Sequence, residues 1–393
     1  MISRQLKTGY FVIEGLNSFA TITYFYYFYF FMRKEFGFDD RANLILAAAN
    51  GACYAVFAWT GGKFAQRAGY ARALKIGLGI VLTCLAIGSQ LHTAWGHIVI
   101  MLSATLGVCL TWVTLEALVS EGENRSGLQH MVGVYNVTWA ATGSVAYFIG
   151  GALLDHLGLR SMFWVPIGIL SMQLGLAFWL GAQTGKPGPA TAPIPLAEDP
   201  HPHPPHRAEN FLRMAWLANP FAYIAINTLV AVMPGLASRL QLSATAAGFC
   251  CSVWCFARLA AFVGLWAWGG WHYRFRWLWT SFIGLVITFA AILTSSTLAV
   301  LLLAQVGFGL AVGLLYYSSL FYSMDVGETK GEHGGFHESA IGMGNLAGPT
   351  VGAISLTLWP GNQFSGALAV SGLLLVGFFG LLTIWKSGRN PRP

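Results

Sequence analysis

The stretch 297–323, TLAVLLLAQVGFGLAVGLLYYSSLFYS, contains no Asp, Glu, Lys or Arg. A helix rises about 1.5 Å per residue and the hydrocarbon core of a bilayer is about 30 Å thick, so about 20 such residues suffice to cross it. The run does not alternate polar and apolar residues, which excludes a strand of a membrane barrel. Comparable runs recur along the whole chain. Twelve spans can be drawn, near 9–32, 43–61, 73–91, 96–119, 131–153, 161–182, 212–235, 244–268, 277–295, 297–323, 338–359 and 365–385. The expected fold class is therefore an all-α integral membrane protein, and the lipid bilayer is its first partner.

Composition agrees with this reading. Of 393 residues, 55% are hydrophobic and 9% charged, against about 25% charged in soluble domains. The net charge of +7 does not imply nucleic acid, because the basic residues sit in short loops between apolar runs, where they encode orientation. With the N-terminus in the cytoplasm, that side holds Arg4, Lys7, Lys63, Arg67, Arg72, Lys75, Arg125, Lys186, Arg207, Arg213, Arg274, Arg276, Lys330, Lys386, Arg389 and Arg392. The outside holds only Arg33, Lys34, Arg41, Arg160 and Arg239. Both termini are thus expected in the cytoplasm and the number of spans is even, in a multi-pass protein of the cell (inner) membrane. The first span opens after Lys7 with no small-residue cleavage site behind it, and is expected to be retained. All six cysteines, Cys53, Cys84, Cys109, Cys250, Cys251 and Cys255, fall inside spans without C-x-x-C spacing, as small packing residues would.

The longest polar stretch, 183–210, is rich in proline and reads as a cytoplasmic linker. It separates an N-terminal six-helix half, 1–182, from a C-terminal half, 211–393. His201, His203 and His206 lie in it as incidental polar residues, and no metal or other cofactor is expected. The halves echo each other. Gly122-Glu123, Arg125 and Gly143 repeat as Gly327-Glu328, Lys330 and Gly348 at one constant offset. Tandem six-helix halves with a midplane site are the plan of many secondary transporters.

After the second span comes GGKFAQRAGYARAL, residues 61–74. It resembles the loop signature of the major facilitator superfamily, G-x-L-x-D-R-x-G-R-[RK], in the position where that family carries it. Gly62, Arg67, Gly69 and Arg72 fall on or near signature places, and Gln66 replaces the usual acidic residue. The resemblance implies a cytoplasmic gate in which glycines let helix ends approach and arginines bind carboxylates and helix C-termini. Gln66 can hydrogen-bond but cannot neutralise an arginine, so the gate should depend less on charge. The corresponding loop of the second half, Gly269-Gly270-Trp271-His272-Tyr273-Arg274, is a degenerate echo. In the eleventh span Gly344, Gly348, Pro349 and Gly352 resemble the G-x3-G-P-x2-G-G motif that drug–proton antiporters of the superfamily carry in helix five. Here that motif sits in the other half and reads as a kinkable, closely packed helix.

Polar residues inside spans carry the functional expectation, because a charge at the centre of a membrane helix costs about 2.5–3.5 kcal/mol on insertion scales. Arg258, in the middle of the eighth span, must face a cavity or a partner. It can attract an anionic substrate group, hold a carboxylate in a proton switch, or clamp neighbouring helices. Glu14, Asn17, Thr21 and Tyr24 are spaced by three, four and three residues, which reads as one helix face turned to a central cavity. Snorkelling of Glu14 to the near surface is the alternative. Glu116, one turn beyond Trp112, is the second candidate carboxylate, or else a helix-end residue beside Glu121 and Glu123. Glu338 is placed at the start of the eleventh span, where it would stabilise a helix N-terminus or else touch substrate. Asn136, Trp139, Gly143 and Tyr147 share a face, as do Asn219, Tyr223 and Asn227. Together with Tyr316, Tyr317 and Asn345 they offer an aromatic and amide cavity lining.

Other chemistry finds no support. Gly181-x3-Gly185-Lys186-Pro187 lacks the spacing and the Ser/Thr of a phosphate loop. His333 and His337 are four apart but read as part of a glycine-rich loop, and no nucleophile has a convincing base. The expected function is a monomeric, non-enzymatic secondary transporter that moves a small-molecule substrate by alternating access. Protons are the expected coupling ion, with Glu14 and Glu116 as carriers. Uptake and efflux both remain open, as does a non-transporting membrane sensor of the same fold.

Overall fold

The computed structural model describes residues 4–123, 125–183, 205–326 and 332–389. Described elements are helical: α1 (Arg4–Phe36), α2 (Asp40–Ala68), α3 (Tyr70–Gly88), α4 (Ala94–Ser120), α5 (Arg125–Leu157), α6 (Ser161–Gln183), α7 (Pro205–Arg239), α8 (Ala244–Cys251), α9 (Val253–Ala267), α10 (Phe275–Leu293), α11 (Leu298–Asp325), α12 (Glu332–Leu358) and α13 (Ser365–Arg389), plus a short 3₁₀ turn (Gly269–Trp271). Twelve spans result, because α8 and α9 are two pieces of one. His201, His203, Lys186, Gly327, Glu328 and Lys330 lie outside the described residues. The expected linker is also shorter on its far side, since α7 begins at Pro205.

Ten of the described spans are long and apolar enough to cross a membrane by length and composition alone. The other two, α1 and α12, have 33 and 27 residues and are long enough as well. Their hydropathy is diluted by Glu, Asn, Tyr and Thr on α1 and by Gly, His and Ser on α12. Both are interior helices. α1 packs on α4, α5 and α6 of its own half and reaches α7 of the other, while α12 packs on α7 and α13 of its own half and on α2 across the interface. The lipid-compatible surface is built from the remaining helices, which leave Trp164, Phe178, Trp179, Leu303, Val376 and Phe379 outward.

Two six-helix bundles meet along α2 against α12 and α5 against α8 and α9. At the end of the bundle remote from the chain termini the contact is tight. Asp155 on α5 accepts from Thr245 N and Thr245 Oγ1 at 2.8 and 2.7 Å, so a carboxylate of one half meets the N-terminus of α8 in the other, where backbone donors are free and negative charge is favoured. Beside it, Asp40 pairs with Arg33 at 3.1 Å and lies against Gly235 of α7, where a methyl group would overlap its carboxylate.

Three local departures from the sequence reading bear on the site. The eighth span, drawn as one helix over 244–268, is broken at Ser252, and Cys250 carbonyl oxygen accepts from Gln305 Nε2 at 2.8 Å. The eleventh span starts at Glu332 and not at 338, which moves His337 from a loop into a helix and Glu338 away from the helix N-terminus. Third, the stripe on α1 does not hold together. The three-four-three spacing keeps Glu14, Asn17, Thr21 and Tyr24 within about 80° of one another on a 3.6-residue helix. Asn17 and Tyr24, about 20° apart, are nevertheless both taken up within their own half, Asn17 by Thr111 and Tyr24 by Phe25, Phe28 and Phe163.

Pro349 has no N–H to offer the carbonyl one turn back, that of Asn345. Asn227 of α7 fills the gap, donating from Nδ2 to Asn345 O at 2.9 Å. Asn227→Leu should strand that carbonyl, at a cost of about 1–3 kcal/mol, and lower the midpoint of thermal unfolding in detergent. An unchanged midpoint would show that the kink satisfies itself. The glycines of the same motif mediate close approach: methyl groups on Gly344 and Gly348 would overlap the Pro220 and Ile224 carbonyl oxygens of α7, and one on Gly352 would meet Leu44 of α2 at 3.2 Å.

Candidate functional site

The site forms where α1, α4 and α5 of the first half face α7, α9, α11 and α12 of the second. Arg258 is placed by helix packing. α9 lies on Gly309 and Gly313 of α11, where added methyl groups would overlap Trp254 O and come within 2.6 Å of the Ala261 Cβ. This close approach fixes the backbone of Arg258 and turns its side chain inward. The residue is 3% exposed. Its guanidinium carbon lies 4.5 Å from the Trp139 ring centre and 4.8 Å from that of Trp254. Tyr26 lies beside it, but no carboxylate comes within ion-pair distance among the described residues, and Nε and Nη2 have no hydrogen-bond partner. The ion-pair role considered from the sequence is therefore not the arrangement here.

Glu14 is also fully buried, at 0% exposure, which excludes snorkelling in this structure. Tyr135 of α5 sits next to it, yet neither carboxylate oxygen has a hydrogen-bond partner among the described residues. Asn17, one turn on, donates to Thr111 Oγ1 of α4 at 3.3 Å. Glu116 is half-buried on α4 and lies within electrostatic range of Glu14 and of Glu338.

Rings bridge the halves. Trp139 makes edge contacts with Trp112 at 6.2 Å, Phe262 at 5.5 Å and Tyr316 at 5.7 Å. Tyr316 also faces Tyr223 at 6.1 Å and His337 at 6.0 Å. Asn136 holds Trp139 in place, accepting from its indole nitrogen at 2.9 Å. Asn345 contributes its carbonyl to Asn227 at the kink, as described above. Trp112, Glu116, Tyr223, Asn227 and Asn345 stay partly uncovered although they lie between helices.

Two neighbours of this site stand elsewhere than the sequence reading put them, His337 in a helix and Glu338 one turn or more beyond its start. His337 Nε2 lies 3.0 Å from Asn219 Nδ2 and 2.8 Å from Ser319 Oγ. Ser319 Oγ itself donates to Tyr316 O at 3.1 Å, and the other ring nitrogen of His337, Nδ1, is 3.8 Å from Glu338 Oε1. Glu338 accepts from Tyr54 on α2 across the interface, Oη to Oε2 at 2.5 Å. Ser339 Oγ donates to Ala55 O at 3.0 Å alongside. The periodic polar signal on α12 was present, but drawing the span from 338 cut it off.

The signature loop is arranged differently from the ion-paired gate that its resemblance implied. Gly69 links α2 to α3 with φ of 89°, a conformation that favours glycine, and Gly62 is buried. Gln66, Arg67 and Arg72 are exposed, and no hydrogen bond or ion pair involves their side chains among the described residues. The ion pair at this end of the half is instead Lys7 with Glu123.

A family model described as Major Facilitator Superfamily matches residues 10–332. The chain belongs to the Major Facilitator Superfamily. No curated protein matches the sequence closely enough to count as a relative. Among solved structures, this superfamily member is similar to an auto-inhibited POT family peptide transporter, with a TM-score of 0.73 at 14% identity, covering 99% of this chain and 98% of that one. It is similar to the nucleoside transporter NupG, with a TM-score of 0.69 at 13% identity over 97% and 99% of the two chains. It is also similar to the human organic anion transporter MFSD10, with a TM-score of 0.66 at 16% identity over 96% and 99%. At such identities the likeness concerns the fold. This superfamily member is thus a multi-pass membrane protein of transporter fold, and the match and its neighbours point to a transporter and not to an enzyme.

Proposed function

We propose that this protein is a proton-coupled secondary transporter of a small organic solute that carries an anionic group. One observation supports this above others: a guanidinium without an anion lies buried against Trp139 of the other half, and a carboxyl without a cation, Glu14, is buried on the facing side of the bundle beside Tyr135. Removing an ion from water costs several kcal/mol unless it is paired, and a cation–π contact returns only about 0.5–2 kcal/mol. Arg258 is therefore kept for an anion that arrives from outside the chain. Glu14 without donors is tolerable as the neutral acid, which makes it the proton carrier, with Glu116 as the second. Because Arg258 and Glu14 belong to opposite halves, loading both draws the halves together. Rocking of the halves about this site then exposes it alternately to each side.

The distribution of basic residues supports cytoplasmic termini in an inner, cytoplasmic-type membrane. In that orientation the contacts of Asp155 and Asp40 seal the outer end. The protein works as a monomer, since each chain contains both halves of the site.

The test is a solute screen in proteoliposomes with an imposed pH gradient. A solute should accumulate only when the gradient is present. Glu14→Gln should lower gradient-driven accumulation at least tenfold while leaving solute exchange across the membrane intact. Gradient-independent uptake, or full coupling in Glu14→Gln, would overturn the coupling assignment. A sensor would bind solute without any flux.

A further inference from the structure

We infer that the anionic group of the cargo is a single carboxylate and that its body is a flat aromatic ring. This rests on the transporter reading above and narrows its cargo to a chemical class.

The argument starts from which donors of Arg258 are unused. They are Nε and Nη2. Their N–H bonds lie on one edge of the guanidinium and point nearly the same way, which matches the two oxygens of a carboxylate in a bidentate pair. The flanking indoles of Trp139 and Trp254 interact with the charge through their rings and present no acceptor to that edge, since an indole N–H only donates. The edge is thus unpaired and pre-oriented by rigid groups, and it is covered by its neighbours in this conformation, so the cargo reaches it when the halves part. A phosphate monoester can also engage an arginine edge, but it brings between about one and a half and two negative charges. Here one guanidinium would have to neutralise them with Glu116 and Glu338 close by, since all three groups lie within electrostatic range of Tyr316. A carboxylate brings one charge.

The body of the cargo follows from what surrounds the edge. Tyr26 stacks on Trp254 with ring centres 6.2 Å apart, Phe262 lies 5.6 Å from Tyr316, and Tyr223 lies 6.1 Å from Tyr316. Tyr26, Tyr223 and Trp112 each keep part of their surface uncovered. Rings in such positions receive another ring by offset stacking or edge contact. Of the amides, Asn227 donates to Asn345 O, Asn219 Nδ2 contacts His337 and Asn136 Oδ1 accepts from Trp139, which leaves Asn136 Nδ2 and Asn219 Oδ1 as the unpaired amide atoms for a polar substituent on the ring.

Purified protein in detergent tests this through its intrinsic tryptophan fluorescence, since two indoles flank the edge. The probes are phenylacetate, cyclohexaneacetate, phenyl phosphate and phenethylamine. Phenylacetate should give a saturable change. Cyclohexaneacetate should bind roughly 3- to 10-fold more weakly, the worth of ring–ring contact, and the phosphate and the amine at least tenfold more weakly. Arg258→Lys, which keeps the charge and removes the fork, should weaken phenylacetate at least tenfold. Equal binding of phenyl phosphate, of phenethylamine or of cyclohexaneacetate overturns the inference, as does unchanged affinity in Arg258→Lys or no saturable response to phenylacetate. If Arg258→Lys fails to fold, the wild-type panel decides alone. The pH-gradient proteoliposomes, with protein-free vesicles as blank, separate the two levels. Transport of another solute class without phenylacetate binding sinks the aryl carboxylate and leaves the transporter reading standing. Phenylacetate binding with no flux of any probe sinks the transporter reading and leaves the site.

Discussion

Arg258→Met should abolish solute flux, by 100-fold or more, while the protein remains folded and unfolds at the same temperature or a higher one. Most buried charges behave otherwise. Removing one partner of a buried ion pair costs about 3–5 kcal/mol, because the other charge is left uncompensated. Arg258 leaves no such orphan, since no carboxylate of the described chain pairs with it. What the substitution removes is a desolvated cation and its two cation–π contacts, and methionine restores much of the volume and keeps favourable contact with the indoles. Replacement of buried ions by apolar groups of similar size is often neutral or stabilising by about 1–4 kcal/mol. Loss of the bidentate pair to the cargo, by contrast, removes the recognition of its charge. Flux in proteoliposomes and thermal unfolding in detergent, measured on the same preparation, check both halves of the prediction. A large fall in the unfolding midpoint would mean that Arg258 is a structural clamp, which was the bland alternative for this residue.

Gly51→Val should separate the two halves along α2 and α12, and the yield of folded protein should collapse. A methyl group on Gly51 would sit 2.6 Å from the carbonyl oxygen of Asn345 and closer still to its carbon and to the Leu346 nitrogen. These are backbone atoms of α12, held by the Asn227 hydrogen bond, so no rotamer change relieves the clash. Overpacking typically costs about 1–3 kcal/mol where side chains can adjust, and here the helix itself must move. Moving it also pulls Glu338 from Tyr54, whose bond crosses the same interface. Gly79→Val is the matched control, because nothing lies within 4 Å of the position where its side chain would begin. Size-exclusion profiles of the two variants distinguish them. Two similar profiles would mean that the halves meet more loosely than this packing implies.

The parts of the site that the sequence made legible are those that depend on a residue's own type and its run. Arg258 stands out because a cation in an apolar run is expensive wherever the helix turns. Trp139 and Tyr223 were found because helical spacing over a few residues keeps each on one side with its amide neighbours, and Tyr316 because a phenol inside an apolar run stands out by type. Tyr24 shows where that reasoning fails. It lies only about 20° around α1 from Asn17, yet both are taken up by their own half, through Phe163 and Thr111, and Tyr26 takes the place beside Trp254. His337 and Glu338 were lost for a different reason. Hydropathy marks where a helix becomes apolar, and α12 begins before that, with His337 and Glu338 held by partners on other helices.

Sequence alone determined the apolar spans, their even number, the duplicated halves and the superfamily, because the hydropathy of a run and a loop motif are local properties that need no partner. Only the tertiary structure decided that Arg258 has no counter-ion among the described residues, that Glu14 is buried beside Tyr135 with no cation paired to it among them, and that Tyr54 meets Glu338 from 284 positions away. Whether a buried charge is paired depends on which faces of distant helices come together. Close contacts such as Gly51 on Asn345 and Gly309 on Trp254 set that alignment, and helical periodicity carries no information about it.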